Sequence, residues 1–198
     1  MMIKNLRRTA LALAIAAPSA VFASAQNYSF VEGGLALYPS FGNQDFIGVD
    51  LRGSYEINED FFAFGGLKYL TDDIDLTAIH VGGGYRHAID EATSVWGGLT
   101  LEYQDIDGGR ECFNTGFGRQ CVNNSFDDTS IGLRGGLRHQ LNQDLEIGGS
   151  LRLVTGDLDY VGITGTTRYR LNDNLYLLGE LDIYDGELGL IGGATFLF

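Results

Sequence analysis

The sequence contains very little proline. Only two prolines occur among its 198 residues, and none follows Pro39. Because proline cannot donate a ladder hydrogen bond, its absence over this length is typical of a chain built from continuous β-strands. After the first 25 residues the sequence also has no apolar run of about 18 residues, the minimum length for a transmembrane helix. A helical membrane protein is therefore not expected.

Basic residues are scarce as well. The sequence has 13 lysines and arginines against 26 aspartates and glutamates, and three of the bases lie within residues 1–25. The rest of the chain has ten bases against 26 acids, a net charge of −16. A nucleic-acid partner is not expected, because contacts with phosphate groups need a basic face.

Residues 1–25 have the pattern of a secretory signal peptide. Three bases near the start precede an apolar run over 9–17, and small residues at 23–25 suit a cleavage site. The apolar run is too short to span a bilayer. The sequence therefore predicts export and cleavage before Gln26, which leaves one domain over 26–198.

Alternation of apolar and polar residues is the main feature of this domain. In "IGVDLRGSYEI", Ile47, Val49 and Leu51 fall on one face of a strand, and Asp50 and Arg52 fall on the other. Alternation with a period of two over such lengths predicts membrane-crossing β-strands. The ten segments with this pattern are 28–38, 46–57, 61–71, 75–88, 93–104, 129–141, 145–155, 160–171, 175–184 and 188–198.

The connections between these segments are of two kinds. Four are short and similar, and they alternate with connections of variable length, of which the longest spans 105–128. Tight turns at one end and variable loops at the other are typical of bacterial outer-membrane barrels. The predicted fold is an all-β, transmembrane, antiparallel up-and-down barrel of about ten strands in the outer membrane. A soluble β-sandwich or lipocalin-like barrel is disfavoured, because arginine occurs in the middle of the strands.

The polar faces of the predicted strands carry nearly balanced charges. Eight basic and seven acidic residues fall on them. Unpaired charges in a narrow lumen would be costly, so we expect a salt-bridged plug rather than a wide channel. The predicted lumen network contains Arg52, Lys68, Arg86, Glu102, Arg134, Arg138, Glu146, Arg152, Arg168, Arg170, Glu180 and Asp182.

The only two cysteines, Cys112 and Cys121, lie in the long connection. In an exported protein the default state of such a pair is a disulfide. The bridge would close a hairpin of ten residues, which stabilises a fold by roughly 2–3 kcal/mol in the chain-entropy model. The bridged hairpin would either shape a binding surface or protect the loop from proteolysis, and the sequence favours neither.

The sequence ends in "GGATFLF", in which Phe196 and Phe198 alternate with smaller or inward-facing residues. We expect both phenylalanines to face lipid and to form the signal that the barrel-assembly machinery reads. The other expected partners are outer-membrane lipid, lipopolysaccharide and a host or surface ligand at the extracellular loops. The barrel is expected to be a monomer.

Candidate catalytic and metal-binding residues are few. His80, His87 and His139 are too scattered for a metal site. The sequence also shows no serine and histidine pattern typical of a catalytic site. The acidic stretch "TDDID" over 71–75 would either gather a divalent cation or form a solvated acidic rim. We expect no catalytic residue, no metal and no cofactor. The expected protein is therefore non-enzymatic.

Four stretches, "YSFVEGG", "FFAFGGLKY", "VGGGYRHAI" and "GLRGGLRHQLNQDLEIGGSLR", resemble the small outer-membrane barrels of plant-associated and opportunistic proteobacteria. That family was once proposed to activate a rice immune receptor. The resemblance implies a surface protein of the outer membrane or its vesicles, linked to biofilm formation and virulence, and it carries over no catalytic residue. The cysteine-containing loop over 108–128 departs from the family pattern.

Three functional hypotheses follow from this sequence. The first is a non-enzymatic surface barrel that acts through its extracellular loops in adhesion, biofilm formation, virulence or envelope integrity. The second is a narrow channel for ions or small solutes, and the third is an outer-membrane enzyme.

Overall fold

The structure is a computed structural model that describes residues 26–41, 44–115 and 118–198, and it describes their side chains except at 40–44 and 109–124. The predicted signal peptide lies outside the described residues. The described part forms ten strands. They are β1 (Phe30–Phe41), β2 (Gln44–Glu56), β3 (Phe61–Thr71), β4 (Asp75–Ala88), β5 (Thr93–Thr115), β6 (Gly118–Gln140), β7 (Leu145–Thr155), β8 (Tyr160–Arg170), β9 (Leu175–Tyr184) and β10 (Glu187–Leu197).

The ten strands form one closed barrel in which each strand pairs with its neighbour in sequence. The barrel closes where β1 pairs antiparallel with β10, from Phe30 opposite Leu197 to Leu37 opposite Leu190. The predicted antiparallel up-and-down barrel of ten strands is therefore confirmed. No helix in the described ranges is long and apolar enough to cross a membrane.

The outer surface of the barrel is apolar. Tyrosine and phenylalanine side chains cluster outside the end that carries the four similar turns, which we call the periplasmic end; they are Tyr55, Phe61, Tyr85, Tyr169, Phe196 and Phe198. Aliphatic side chains cover the middle, among them Leu35, Leu51, Val81, Leu99, Leu101, Ile131, Leu133, Ile163, Leu177 and Leu181. An apolar band with an aromatic girdle is what a barrel presents to lipid. The protein is a barrel of the bacterial outer membrane.

The four periplasmic turns share one hydrogen-bonding pattern. At the turn after β6, the Asn142 carboxamide oxygen accepts hydrogen bonds from the N–H groups of Asp144 at 2.9 Å and Leu145 at 3.0 Å. A side chain that bonds the backbone two or three residues on stabilises a tight turn. Asn58 and Asn172 repeat these contacts, and the Asp90 carboxylate accepts from the N–H of Ala92 at 2.8 Å. This N–H contact lowers the pKa of Asp90.

The extracellular end differs from the prediction in one respect. The prediction of a loop over 105–128 is wrong. Strands β5 and β6 continue through this range as a paired hairpin, and each strand has 23 residues. The ladder shifts register between Asp107 and Arg110 and resumes with Arg110 opposite Asn123. The alternation of apolar and polar residues stops at the membrane rim. The sequence therefore gives little indication that β5 and β6 extend beyond it.

Candidate functional site

The extracellular part of the lumen is filled by apolar side chains. Tyr160 and Tyr184 stack there with ring centroids 4.4 Å apart. The other buried members of this cluster are Ala36, Tyr38, Phe46, Leu70, Leu76, Val154 and Ile191. This cluster was not predicted from the sequence, although inward positions near the extracellular strand ends are apolar. We call it the apolar plug, because it separates the charged lumen from the outside.

On the periplasmic side of the apolar plug, the Asp182 carboxylate accepts hydrogen bonds from four side chains. Its side chain is 0% exposed, and its carboxylate accepts from Lys68 Nζ at 2.7 Å and Arg152 Nη2 at 2.5 Å. The hydroxyls of Tyr38 and Thr164 donate to the same carboxylate at 2.5 and 2.8 Å. Two cations and two hydroxyls from four strands thus meet at one carboxylate.

Two further pairs lie in the middle of the lumen. Arg134 binds Glu102 through Nε at 2.9 Å and through Nη2 at 2.8 Å, a two-pronged contact that fixes both side chains. Arg52 Nη2 donates to Glu180 at 2.8 Å. Arg52 Nε also lies 2.9 Å from an oxygen of Asp50. These pairs neutralise each charge inside a narrow space.

Nearer the periplasm, arginines and glutamates alternate in a chain. Arg168 donates to Glu32 at 2.8 Å and to Glu146 at 2.9 Å. Arg138 holds Glu146 through Nε and Nη2, both at 2.9 Å. This chain joins β1, β6, β7 and β8 across the lumen.

The predicted network residues separate into two groups. Eleven of the twelve form ion pairs inside the lumen; Arg86 does so with Glu56, at 2.5 Å. Arg170 instead binds Asp144 of a periplasmic turn at 2.9 Å, where the two side chains are 34% and 51% exposed. Arg170 therefore belongs to the periplasmic rim. Three further acidic partners, Glu32, Asp50 and Glu56, complete the lumen network.

Residues 26–28, which we call the N-terminal latch, cross the periplasmic mouth of the lumen. They leave β1 and reach β5 on the opposite wall, where the Ser94 hydroxyl donates to Gln26 and lies 2.9 Å from the Tyr28 hydroxyl. The Arg138 guanidinium stacks 4.6 Å from the centre of the Tyr28 ring. The alternation pattern did not indicate this crossing: it predicted the first strand from residue 28, whereas β1 begins at Phe30.

The histidines have separate surroundings. His80 lines the interior among Arg52, Arg134 and Arg152. His139 bonds the Thr93 hydroxyl at 2.9 Å, and His87 is exposed. Within the described residues, no group of three or more His, Cys, Asp or Glu side chains is placed to hold a metal ion.

Comparison with known proteins finds solved structures of low similarity to this chain. No protein-family model and no curated protein matches the chain. The KdgM porin is similar at a TM-score of 0.48 and 13% identity, over 85% of this chain and 99% of that chain. The N-terminal β-barrel domain of Pseudomonas aeruginosa OprF gives 0.45 and 15%, over 86% and 98%. Ail, the attachment invasion locus protein of Yersinia pestis, gives 0.42 and 18%, over 84% and 95%.

At these scores the likenesses assign no function to this chain. The resemblance to the family linked to a rice immune receptor stays a hypothesis.

Phe196 and Phe198 lie on the outside of β10, 47% and 56% exposed. The N–H of Phe198 donates to the carbonyl of Ser29 at 3.2 Å. This hydrogen bond joins the last residue to the residue before β1, where the barrel closes. Their role as an assembly signal stays a prediction.

We predict that Phe198→Asp lowers the amount of folded protein in the outer membrane severalfold, because a carboxylate replaces an aromatic group at the membrane interface. Folded barrel is measured as the band that migrates faster than the boiled sample on a detergent gel. Leu171→Asp, an exposed substitution at a periplasmic turn, is the control. Wild-type levels of the Phe198→Asp barrel would contradict the prediction.

The backbone places Cys112 directly opposite Cys121. Opposed residues of antiparallel strands have Cα atoms about 4.5 or 5.5 Å apart, within the span of a disulfide. The side chains of both cysteines lie outside the described ones. The disulfide therefore stays a prediction.

We predict that protein purified from the outer membrane shows no thiol reactive to maleimide after denaturation, and two after reduction. The register favours a bridge, and export exposes the thiols to an oxidising compartment. Finding two reactive thiols without reductant would refute the bridge.

Proposed function

We infer that this chain is a non-enzymatic surface protein of the outer membrane that acts through the β5–β6 hairpin, in adhesion, biofilm formation, virulence or envelope integrity. One observation carries the proposal. Strands β5 and β6 have 23 residues each, whereas the other eight have 10 to 14. The surplus length lies at the extracellular end, where a ligand outside the cell would meet it.

The projecting part of the hairpin can be measured from the register. Pairing of β4 with β5 ends at Asp107, and pairing of β6 with β7 begins at Ile131. Eight residues of β5 lie between Asp107 and the hairpin tip, and six of them, 110–115, pair with β6 alone. At roughly 3.4 Å per residue, the hairpin reaches about 25 Å beyond the barrel wall.

The composition of the projecting hairpin differs from the rest of the extracellular end. Its sequence contains Arg110 and Arg119 together with Phe113 and Phe117, whereas the other connections are rich in aspartate. Arginine and aromatic residues are the types that most often dominate the energy of protein interfaces. A disulfide across the hairpin would lower the entropy lost on binding.

The occupied lumen supports a surface role over transport. In the described part of the chain, the apolar plug and the N-terminal latch close the two ends of the lumen, and ion pairs cross it between them. A narrow channel is the second candidate, because a cavity remains between the apolar plug and the latch. Channel activity requires both of these closures to move.

The proposed function is tested on intact cells. Residues 108–124 are replaced by Asn-Gly, a two-residue turn suited to β-hairpins, so that Asp107 and Ser125 stay opposed. A second variant keeps the hairpin but replaces Arg110, Phe113, Phe117 and Arg119 with serine. Heat-modifiable migration first checks that both variants fold.

We expect both variants to lower adhesion to host cells or abiotic surfaces, or biofilm mass, to the level of cells lacking the protein. The control replaces 156–159, the β7–β8 connection, with glycine and serine, and should retain adhesion. Wild-type adhesion and biofilm formation by both hairpin variants would overturn the proposed function.

A further inference from the structure

The N-terminal latch is hydrogen-bonded to three different parts of the barrel wall. The N–H of Tyr28 donates to the Glu56 carboxylate of β2 at 2.7 Å. Arg86 of β4 donates to the carbonyl of Gln26 at 2.7 Å. The Gln26 carboxamide in turn donates to the carbonyl of Ala92, just before β5, at 2.9 Å. These contacts fix a segment that belongs to no strand.

Asn27 of the latch contacts two places on opposite walls of the barrel. Its carboxamide donates to the carbonyl of Phe198 at 3.3 Å, beside the seam between β1 and β10. Its main-chain carbonyl accepts from Arg138 of β6 at 2.9 Å. In the closed strand order, β6 is five strands away from β1 in either direction. The latch therefore spans the width of the lumen.

The contact between Asn27 and β6 requires a curved sheet. In a flat, open sheet, five strand spacings of about 4.8 Å would place β6 roughly 24 Å from β1. Asn27 lies three residues before Phe30, the first residue of β1, and three extended residues span at most about 11 Å. The Arg138 side chain does not cover the difference, because side chains stand roughly perpendicular to a flat sheet. The latch therefore docks after the strands have curved into a ring.

The Tyr28 side chain anchors the docked latch inside the lumen. Only 3% of Tyr28 is exposed, and its hydroxyl lies 2.9 Å from the Ser94 hydroxyl. The guanidinium groups of Arg86 and Arg138 lie 4.9 and 4.6 Å from the centre of its ring, and the Phe62 ring lies 5.0 Å away. Cations over an aromatic ring and a partnered buried hydroxyl both stabilise the docked position.

We propose that the N-terminal latch is a lock that engages after the barrel has closed and slows its unfolding. A segment bonded to the seam and to the opposite wall opposes their separation. Contacts that form after the transition state of folding slow unfolding and leave the folding rate nearly unchanged. The lock gives the folded barrel a long lifetime, a property that is independent of the β5–β6 hairpin and of the proposed function.

Rates of unfolding and refolding test the lock. Purified protein is refolded by dilution from urea into lipid vesicles and unfolded again in concentrated urea, and the heat-modifiable band reports the folded fraction. We expect Tyr28→Ala to unfold at least about tenfold faster than the wild type, while its refolding rate changes by less than about twofold. Ser94→Ala, which removes the hydroxyl that contacts Gln26 and Tyr28, should unfold at least about twofold faster with the same unchanged refolding.

Two further variants serve as controls. Ser54→Ala makes the same change at a buried hydroxyl that forms no hydrogen bond among the described residues, and it should unfold at the wild-type rate. The double variant with Tyr28→Ala and Ser94→Ala should unfold at most about twofold faster than Tyr28→Ala alone, because both changes act through the latch.

Four outcomes would overturn the proposal. The first is a wild-type unfolding rate in both Tyr28→Ala and Ser94→Ala. The second is refolding that is slowed more than unfolding is accelerated. The third is a Tyr28→Ala protein that never forms a barrel, because the latch would then be needed for closure itself. The fourth is a double variant whose acceleration is the product of the two single effects, because Tyr28 and Ser94 would then act separately.

Discussion

The Asp182→Ala variant is expected to lose about 3–5 kcal/mol of unfolding free energy, the usual cost of removing one partner from a buried ion pair. Asp182 accepts from Lys68 at 2.7 Å and from Arg152 at 2.5 Å, and its side chain is 0% exposed. Without it, Arg152 has no carboxylate within ion-pair distance among the described residues, and Lys68 retains only Asp50 at 3.5 Å. Both cations stay buried, so their desolvation is no longer offset.

The matched control is Asp144→Ala. Asp144 also pairs with an arginine, Arg170 at 2.9 Å, but both side chains are substantially exposed. Exposed pairs contribute about 0–1 kcal/mol, so the control should stay near the wild type. Urea unfolding in lipid vesicles measures both variants. Equal midpoints for Asp182→Ala and Asp144→Ala would show that the Asp182 cluster does not stabilise the barrel.

Gly48→Ala is expected to reduce the folded barrel to a small fraction of wild-type levels. A Cβ atom at Gly48 would lie 1.8 Å from the carbonyl oxygen of Tyr69 and 2.8 Å from the Cα of Leu70. Both are backbone atoms of the neighbouring strand β3, which cannot turn away as a side chain can. Overpacking of this kind costs about 1–3 kcal/mol or more, and here the strands must separate.

Gly165→Ala makes the same chemical change where there is room. A Cβ atom at Gly165 meets nothing within 4 Å, and the residue is exposed on the outer surface. This variant should fold as well as the wild type. The heat-modifiable fraction in outer membranes measures both glycine variants, and equal fractions would contradict the close approach of β2 and β3 at Gly48.

Much of the fold follows from the sequence, because lipid outside and a polar lumen inside impose a strict period of two. The bounds predicted for β3, β4, β7 and β9 coincide with those of the structure. The asparagine turns fix where three of these strands begin, because Asn58, Asn142 and Asn172 each accept from the N–H of the first residue of β3, β7 and β9, respectively. Beyond the rim no lipid enforces alternation, and the extension of β5 and β6 was therefore predicted as a loop.

The lumen was only partly predictable for a related reason. Alternation indicates which charges face inward, but it carries no information about which charges meet. The Arg168–Glu32 pair joins residues 136 positions apart, and its geometry depends on the tilt and stagger of the closed barrel. The apolar plug and the N-terminal latch depend on the same three-dimensional closure.

Conductance in planar bilayers tests the central claim, that side chains seal the lumen. The wild-type protein should show at most rare, small openings and no steady current. An Arg134→Ala and Arg138→Ala double variant, which leaves Glu102 and Glu146 less compensated, should unfold at a lower urea concentration, but it should carry no steady current while the apolar plug stays in place. A large, steady, porin-like current through the wild type would contradict the sealed lumen.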